Sequence, residues 1–299
     1  MDAIIDKKIV PKHLMGKLKE TFVDNSSEVL IKVLNHDGYL FFRNVINPDQ
    51  VELARNEIFK RLFEIKELKT PYHEGIFSGL STRDKNHEDR GEFWKSISDL
   101  STLREITNGK ELHNIFDKIF ECPSIGFDFI FLRPVANGKS TKLHCDSGFF
   151  TRTTKKVLTC WLVLTEVPIE RGPLFIIQNS HKFDDIKKQF LNFDVAIHKD
   201  KKAMIDVDTI KFAEDRNSKI LTANFQPGDV LIFGMHTLHG TFQNYAKDNK
   251  IRLTCDVRFQ PKSEPKDPRY FGLNPGGTTG AGYGELNSAR PLNENWHNR

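Results

Sequence analysis

The stretch Thr141-Lys142-Leu143-His144-Cys145-Asp146 places a histidine and an aspartate two positions apart in a pattern typical of a β-strand. Side chains of a strand alternate between its two faces, so His144 and Asp146 would point to the same side and could approach one ion together. The pair alone is a weak signal, because polar residues at strand ends also occur at this spacing by chance.

A third ligand has to come from another part of the chain. The segment Met235-His236-Thr237-Leu238-His239-Gly240 offers two histidines, which on a strand would face opposite sides because they lie three residues apart. Gly240 permits close approach of a ligand or of backbone, which favours His239 and leaves His236 as the alternative. Two imidazoles and one carboxylate are the donor set typical of Fe(II) sites with open coordination positions.

Polar and apolar residues alternate in Arg252-Leu253-Thr254-Cys255-Asp256-Val257-Arg258-Phe259, which reads as a strand with one polar face. A guanidinium matches a carboxylate through two parallel hydrogen bonds, as the anchoring of a dicarboxylate co-substrate requires. We expect Arg252 to hold the far carboxylate of a 2-oxo acid. Arg258 is the alternative anchor, although it would equally suit an ion pair with Asp256 on a solvated edge.

Helical patterns dominate the first 120 residues, and strand patterns begin near residue 125. Apolar residues recur at helical spacing in residues 12–34 and after Asn47-Pro48, where asparagine can cap a helix and proline suits its first turn. Residues 39–46 read as a strand and residues 93–120 as helical. The later strand candidates are residues 125–133, 141–146, 157–167, 173–178, 222–226, 229–236 and 250–260. Strands preceded by helices predict a mostly β fold with flanking helices, either a sandwich or a jelly roll.

We expect a single domain over residues 1–299. Its predicted parts are a helical N-terminal part at about 1–120, a jelly-roll core at about 125–261 and a flexible tail at about 272–299. Polar segments with few periodic apolar positions lie at residues 69–92, at residues 182–220 and in that tail. Because little burial would fix these segments, we expect at least one of them to be a mobile lid.

The bulk composition excludes several classes of protein. Hydrophobic residues make up 38% and charged residues 28%, as in ordinary soluble globular proteins. The net charge is +4, and no arginine-rich stripe with interleaved aromatics indicates a nucleic-acid partner. The sequence shows neither a signal-peptide pattern nor a long uncharged apolar run, so we expect no membrane association. Four cysteines without CxxC pairing suggest buried thiols in a reducing compartment and a cytoplasmic location.

Residues from about Asp37 to Pro261 resemble the phytanoyl-CoA dioxygenase family, a branch of the Fe(II)- and 2-oxoglutarate-dependent oxygenases. Asn179 stands where that family usually has glycine. The motifs that carry the likeness are Asp37-Gly38-Tyr39, Asn47-Pro48-Asp49, Cys160-Trp161-Leu162-Val163-Leu164, Gly172-Pro173-Leu174, Asn179-Ser180-His181-Lys182, Pro227-Gly228-Asp229 and Leu238-His239-Gly240.

The resemblance implies a double-stranded β-helix, the cupin-like jelly roll, that holds Fe(II) at its mouth. The implied iron ligands, and hence the catalytic centre, are His144, Asp146 and His239. The resemblance also implies 2-oxoglutarate and O2 as co-substrates. Arg252 and Thr241 would then bind 2-oxoglutarate, and Trp161 would line the same pocket.

The expected activity is hydroxylation of a small molecule, with formation of succinate and CO2. The positive charges of Lys142, Arg152 and Arg258 favour an anionic substrate. A jelly-roll protein that binds a small molecule without oxidising it is the alternative.

Overall fold

Two β-sheets form the centre of the protein in the computed structural model, which describes residues 2–80, 90–195, 197–198, 202–273 and 275. The strands are β1 (Ile4–Ile5), β2 (Lys8–Ile9), β3 (Met15–Lys17), β4 (Tyr39–Phe42), β5 (Ser124–Gly126), β6 (Phe131–Val135), β7 (Leu158–Val163), β8 (Leu174–Ile177), β9 (Ile220–Thr222), β10 (Val230–Gly234), β11 (His239–Thr241) and β12 (Arg252–Pro261). The larger sheet has the order β4-β10-β7-β12-β5, with β6 also paired to β12, and the smaller has the order β11-β8-β9-β3.

Strands β4, β7, β10 and β12 of the larger sheet are buried on both faces, because one face packs beneath the helices and the other faces the smaller sheet. In β4, Leu40 and Phe42 join the core beneath the helices, whereas Tyr39 and Phe41 pack towards the smaller sheet. The outward residues of β12 join the helical core in the same way, but its inward residues are polar. These inward residues are Arg252, Thr254, Asp256 and Arg258, all of them buried. The predicted alternation of β12 is therefore confirmed, although its polar face is enclosed between the sheets and not solvated.

Helices cover the outer face of the larger sheet. They are α1 (Ser27–Asp37), α2 (Pro48–Glu64), α3 (Arg90–Ser98), α4 (Ser101–Thr107) and α5 (Lys110–Phe120), and the later short helices are α6 (Ser147–Phe150), α7 (Asp184–Gln189) and α8 (Thr209–Asp215). Asn47 caps α2 as predicted, because its side-chain oxygen accepts a hydrogen bond from the Asp49 amide at 2.9 Å. The mostly β sandwich with flanking helices agrees with the sequence prediction.

The predicted helix over residues 12–34 is wrong in its first half. Residues 15–17 form β3, which pairs in parallel with β9, and α1 begins only at Ser27. Leu14 and Leu18 are spaced like one face of a helix, yet they lie in two different apolar cores. Pairing with a distant strand has overridden the local periodicity, so the N-terminal part contributes strands to both sheets as well as helices.

The described parts of residues 182–220 are fixed by burial, contrary to the expectation that little burial would hold this segment. Apolar side chains along its described parts are buried in the core next to the smaller sheet: Ile186, Phe190, Phe193, Val195, Ala203, Ile205 and Ala213. The Ile205 amide donates to the Leu143 carbonyl at 2.9 Å, and the Val195 amide donates to the Gly148 carbonyl at 3.0 Å. This segment therefore supports the backbone on both sides of Asp146.

The remaining predictions concern the cysteines, the lid and membrane-spanning helices. Cys145, Cys160 and Cys255 are buried free thiols, as expected, whereas the free thiol Cys122 is only partly buried. Residues 81–89 of the predicted loop and nearly all of the predicted tail lie outside the described residues, so the lid remains a prediction there. Within the described ranges, no helix combines the length and apolar character needed to cross a membrane.

Candidate active site

The side chains of His144, Asp146 and His239 converge at one buried point. Asp146 Oδ1 lies 3.9 Å from His144 Nε2 and 3.9 Å from His239 Nε2. One ligand atom from each residue lies within 4.8 Å of the other two, and all three residues are buried. These separations suit three donors arranged around a single metal ion.

Each histidine is oriented by the backbone two residues before it. His144 Nδ1 donates to the Lys142 carbonyl at 2.8 Å, and His239 Nδ1 donates to the Thr237 carbonyl at 3.0 Å. A carbonyl can only accept, so Nδ1 carries the proton in both rings and Nε2 keeps its lone pair. Hydrogen bonds of this kind fix the tautomer of metal-binding histidines in proteins.

Both imidazoles are held neutral. Burial, followed by the neighbouring His239, lowers the pKa of His144 to about 3. Burial also lowers the pKa of His239, against the opposing effect of Asp146. At neutral pH neither ring has to lose a proton before it binds a metal.

Asp146 does not lie on a strand, contrary to the prediction for residues 141–146. His144 makes only isolated bridges, to His239 and Met204, and Asp146 is the residue before α6 with right-handed helical dihedral angles. The alternation argument for this pair is therefore wrong. Asp146 reaches the histidines because the chain turns after Cys145.

The second oxygen of Asp146 is occupied by two donors. Arg258 Nη2 donates to Asp146 Oδ2 at 2.9 Å, and the Thr159 hydroxyl donates to the same oxygen. Burial alone would raise the pKa of the Asp146 carboxyl, but Arg258 and then the two histidines hold it below its ordinary value. Asp146 is thus a carboxylate at neutral pH, with Oδ1 turned towards the imidazoles.

A pocket extends from the two histidines along the inner faces of the sheets. The residues predicted for the co-substrate line this pocket together with the histidines: Arg252, Thr241 and Trp161. Arg252 is 1% exposed, and its Nη1 donates to the Gly172 carbonyl. The Thr241 hydroxyl oxygen accepts from the Thr141 amide at 2.8 Å, so its own proton can be donated elsewhere.

His236 and Arg258, the alternative metal ligand and the alternative anchor, do not lie where those roles would require. His236 is not part of the buried cluster; it is half-buried, and its Nδ1 has no hydrogen-bond partner among the described residues. Arg258, the alternative anchor, binds Asp146 and does not line the pocket. The structure therefore separates the positions of the two arginines, Arg252 in the pocket and Arg258 on Asp146, which the alternating pattern of β12 could not do.

Sequence reasoning missed Thr159 and Arg133. Thr159 lies directly opposite Arg258 in the pairing of β7 with β12, a register that no local pattern predicts. Arg133 lines the pocket and pairs with Asp256, its Nε lying 3.0 Å from Oδ2. The sequence offered one indication of Arg133, because a charged arginine inside the otherwise apolar run of β6 is unusual.

The residues present fit a divalent iron ion. Two neutral imidazole nitrogens and one carboxylate oxygen are turned towards a common point, and the second carboxylate oxygen is already engaged. A buried guanidinium lines the same pocket, where it could bind an anion close to the metal. Such an arrangement can hold a metal and a carboxylate co-substrate side by side.

Comparison with known proteins identifies a family and two relatives of this chain. The family model of phytanoyl-CoA dioxygenase matches residues 34–252. The 1-deoxypentalenic acid 11-beta-hydroxylase of Streptomyces exfoliatus is 24% identical over 250 residues, covering 79% of this chain and 82% of the relative. The enzyme of the same name from Streptomyces arenae is 23% identical over 249 residues, with the same coverage.

Solved structures share the fold at low identity. EctD from S. alaskensis, with 2-oxoglutarate and 5-hydroxyectoine, has a TM-score of 0.56 at 14% identity, covering 93% of this chain and 95% of that one. The epimerase SnoN, in complex with Fe3+, alpha ketoglutarate and nogalamycin RO, has a TM-score of 0.54 at 16% identity, covering 89% and 92%. These likenesses confirm the predicted jelly roll.

The family match spans most of the chain, and the buried triad lies at the position expected from the sequence motifs. The alternative of a binding protein without catalysis is therefore not supported. The chain belongs to the phytanoyl-CoA dioxygenase family and is a non-haem Fe(II)- and 2-oxoglutarate-dependent dioxygenase.

Proposed function

We propose that His144, Asp146 and His239 bind the catalytic Fe(II), that Arg252 and Thr241 bind 2-oxoglutarate, and that the enzyme hydroxylates a small carboxylic acid. The observation that carries this proposal is the shared pocket, which is lined by both histidines and by the buried Arg252. Bound iron would supply the coupled oxidation of 2-oxoglutarate and substrate by O2: one oxygen atom would enter succinate as CO2 is released, and the other would enter a substrate C–H bond.

Arg252 is well suited to the far carboxylate of 2-oxoglutarate. Its Nη1 is already engaged by the Gly172 carbonyl, which fixes the plane of the guanidinium, and Nε has no partner in the described part of the chain. Burial, followed by the neighbouring Arg133, lowers the pKa of Arg252 to about 9, so the group remains charged at neutral pH. A buried cation with an unused donor favours an anionic partner.

Thr241 and Trp161 would complete the co-substrate pocket. The Thr241 hydroxyl accepts a backbone hydrogen bond and can donate its own proton to a carboxylate oxygen. Trp161 is 2% exposed, and with Leu174 and Phe233 it forms an apolar wall of the pocket. Apolar walls keep water away from the reacting groups and strengthen the ionic contacts of Arg252.

The charge inside the pocket supports an anionic substrate. Three arginines lie in it or against its wall, Arg133, Arg252 and Arg258, opposed by two aspartates, Asp146 and Asp256. The charges of Fe(II) and of the 2-oxoglutarate dianion would cancel, so one positive charge would remain. A monocarboxylate would balance it, and the relatives hydroxylate an acid, 1-deoxypentalenic acid.

Arg133 is the residue we propose for the substrate carboxylate. It lines the pocket with 21% of its side chain exposed, whereas Arg252 and Arg258 are almost fully enclosed. Its Nε donates to Asp256, which also lines the pocket, so this contact helps to orient the guanidinium there. The apolar wall opposite would contact the hydrocarbon body of the acid.

Turnover with paired substrates tests this function. The iron-loaded enzyme, 2-oxoglutarate and O2 would be incubated with a panel of monocarboxylic acids and with their methyl esters, and succinate and hydroxylated product would be quantified. We expect the acids to stimulate succinate formation and the matched esters to stimulate it at least tenfold less. An ester cannot make the charge-assisted hydrogen bond of a carboxylate, which contributes roughly 1.5–3 kcal/mol. Equal stimulation by esters would refute an anionic substrate.

A further inference from the structure

Arg258 is a buried cation whose nearest carboxylate is Asp146. We infer that Arg258, together with Thr159, is a positioning residue that holds Asp146 Oδ2, so that the aspartate presents Oδ1 alone to the metal. This inference rests on the proposed metal centre of His144, Asp146 and His239. It concerns how that centre keeps its coordination positions open.

The two donors reach the same oxygen because of the strand register. Arg258 of β12 lies directly opposite Thr159 of β7, and both side chains point to the inner face of the larger sheet. Arg258 Nη2 lies 2.9 Å from Asp146 Oδ2, and the Thr159 hydroxyl donates to the same atom. Two hydrogen bonds on Oδ2 fix the rotation of the carboxylate about its Cβ–Cγ bond.

The guanidinium itself is held by aromatic rings. Its Cζ lies 4.2 Å from the centroid of the Phe150 ring and 4.7 Å from that of Phe131. Phe150 is the last residue of α6, the helix that begins immediately after Asp146, so only one helical turn separates the aspartate from a ring that packs on Arg258. Arg258 is 2% exposed, and a buried cation that packs against two aromatic rings has little freedom to move.

Asp256 is a weaker candidate for the partner of Arg258. The distance from Arg258 Nη2 to Asp256 Oδ2 is 3.8 Å, which is too long for a hydrogen bond. That Asp256 oxygen accepts from Arg133 Nε at 3.0 Å. The ion pairs therefore separate into Arg133 with Asp256 at the pocket and Arg258 with Asp146 at the metal centre.

Engaging Oδ2 has a consequence for coordination. A carboxylate can bind a metal through one oxygen or through both, and binding through both would use a position that the co-substrates need. A donor pair on Oδ2 makes two-oxygen binding unfavourable, because the Arg258 and Thr159 hydrogen bonds would have to break in a buried environment. Partners of this kind typically change metal affinity by about 10- to 100-fold when they are removed.

Cobalt(II) binding to the metal-free enzyme tests the inference without turnover. The dissociation constant would be measured by calorimetry, and the visible absorption of bound Co(II) would report its coordination. Arg258→Leu should weaken binding by about 10- to 100-fold and should alter the spectrum. Thr159→Val should change both in the same direction by less, and Arg258→Lys should recover part of the affinity.

Thr254→Val is the matched control. Thr254 lies on the same inner face of β12, is fully buried, and its hydroxyl has no hydrogen-bond partner among the residues that the structure describes. This variant should bind Co(II) with the affinity and spectrum of the wild type. A change equal to that of Thr159→Val would show a general response to altered packing and would overturn the inference.

Folded Arg258→Leu with wild-type affinity and spectrum would also overturn the inference. If Arg258→Leu does not fold, Co(II) binding by Thr159→Val decides the matter. Wild-type affinity and spectrum in Thr159→Val would then overturn the inference. His144→Ala separates this outcome from failure of the metal centre itself. If His144→Ala binds Co(II) like the wild type, the proposed metal centre is wrong. If His144→Ala loses Co(II) binding but Arg258→Leu keeps it, only the role of Arg258 is refuted.

Discussion

His144 and His239 are joined by a reciprocal pair of backbone hydrogen bonds. The His144 amide donates to the His239 carbonyl at 3.0 Å, and the His239 amide donates to the His144 carbonyl at 2.9 Å. Directly opposed residues of an antiparallel pair project to the same side, and the two ring centroids lie 4.2 Å apart. The two imidazoles are therefore brought together by main-chain pairing across 95 residues of sequence.

We predict that this pairing decides which histidine binds iron. His144→Ala and His239→Ala should lose Fe(II) binding and succinate formation while remaining folded, because each removes one of three protein ligands. His236→Ala is the matched control and should retain both, since His236 lies outside the buried cluster. Calorimetry with Fe(II) under anaerobic conditions and circular dichroism would be the measurements. Wild-type binding by His239→Ala, with loss in His236→Ala, would reverse the assignment.

Arg252→Ala should weaken 2-oxoglutarate binding severely. Removal of a charge-assisted contact in a buried pocket costs on the order of 2–5 kcal/mol, which corresponds to at least a tenfold higher dissociation constant. Arg252→Lys should recover only part of the lost affinity for 2-oxoglutarate, because an ammonium group cannot form the two parallel hydrogen bonds of a guanidinium. Anaerobic titration of the metal-loaded enzyme with 2-oxoglutarate measures the effect.

Lys247→Ala is the control for Arg252, since it removes an exposed positive charge from the preceding loop. It should leave the 2-oxoglutarate affinity unaltered. Unaltered affinity in Arg252→Ala as well would place the anchor elsewhere in the pocket, with Arg133 as the next residue to substitute.

Acid should destabilise the metal-free protein through its buried histidines. The pKa of His144 is lowered to about 3 by burial and then by His239, whereas an unfolded histidine titrates near 6.5. Between these values the unfolded state binds more protons, so stability rises with pH and is lost as pH falls below about 6.5. Each such histidine contributes a slope of up to about 1.4 kcal/mol per pH unit.

Denaturant unfolding from pH 7 to pH 4 would measure this slope. His144→Gln should have a shallower slope than the wild type, because it removes one group that has to remain neutral in the folded state. Thr254→Val, at a buried position that carries no titratable group, is the control and should keep the wild-type slope. Identical slopes in all three proteins would show that the buried imidazoles do not govern acid stability.

Asp146→Ala should leave Arg258 as a buried charge without its carboxylate. Loss of one partner of a buried ion pair typically costs about 3–5 kcal/mol of unfolding free energy. Formate should recover part of this loss, because a small carboxylate can take the place between Arg258 and Thr159. Thermal unfolding with increasing formate would show a rising Tm in this variant. The double variant Asp146→Ala/Arg258→Leu should lack that rise, and a Tm that does not depend on formate in the single variant would contradict the prediction.

Several elements of the fold, the type of metal and the family could be predicted from local sequence patterns. The alternation along β12 predicted a strand with one polar face, and Asn47-Pro48 predicted the start of α2, because these features depend only on neighbouring residues. The donor types at positions 144, 146 and 239 indicated iron. Motifs spread from Asp37 to Pro261 indicated the family, whose match to residues 34–252 agrees.

Contacts between distant segments decided the rest. The position of His239 beside His144, with His236 outside the cluster, depends on the backbone bridge between His144 and His239. The contact of Arg258 with Asp146 depends on the register that places Thr159 opposite Arg258. Residues 182–220 looked solvated because their buried side chains follow no regular period. The alternation of a strand is the same in every register, so only tertiary packing selects which side chains meet.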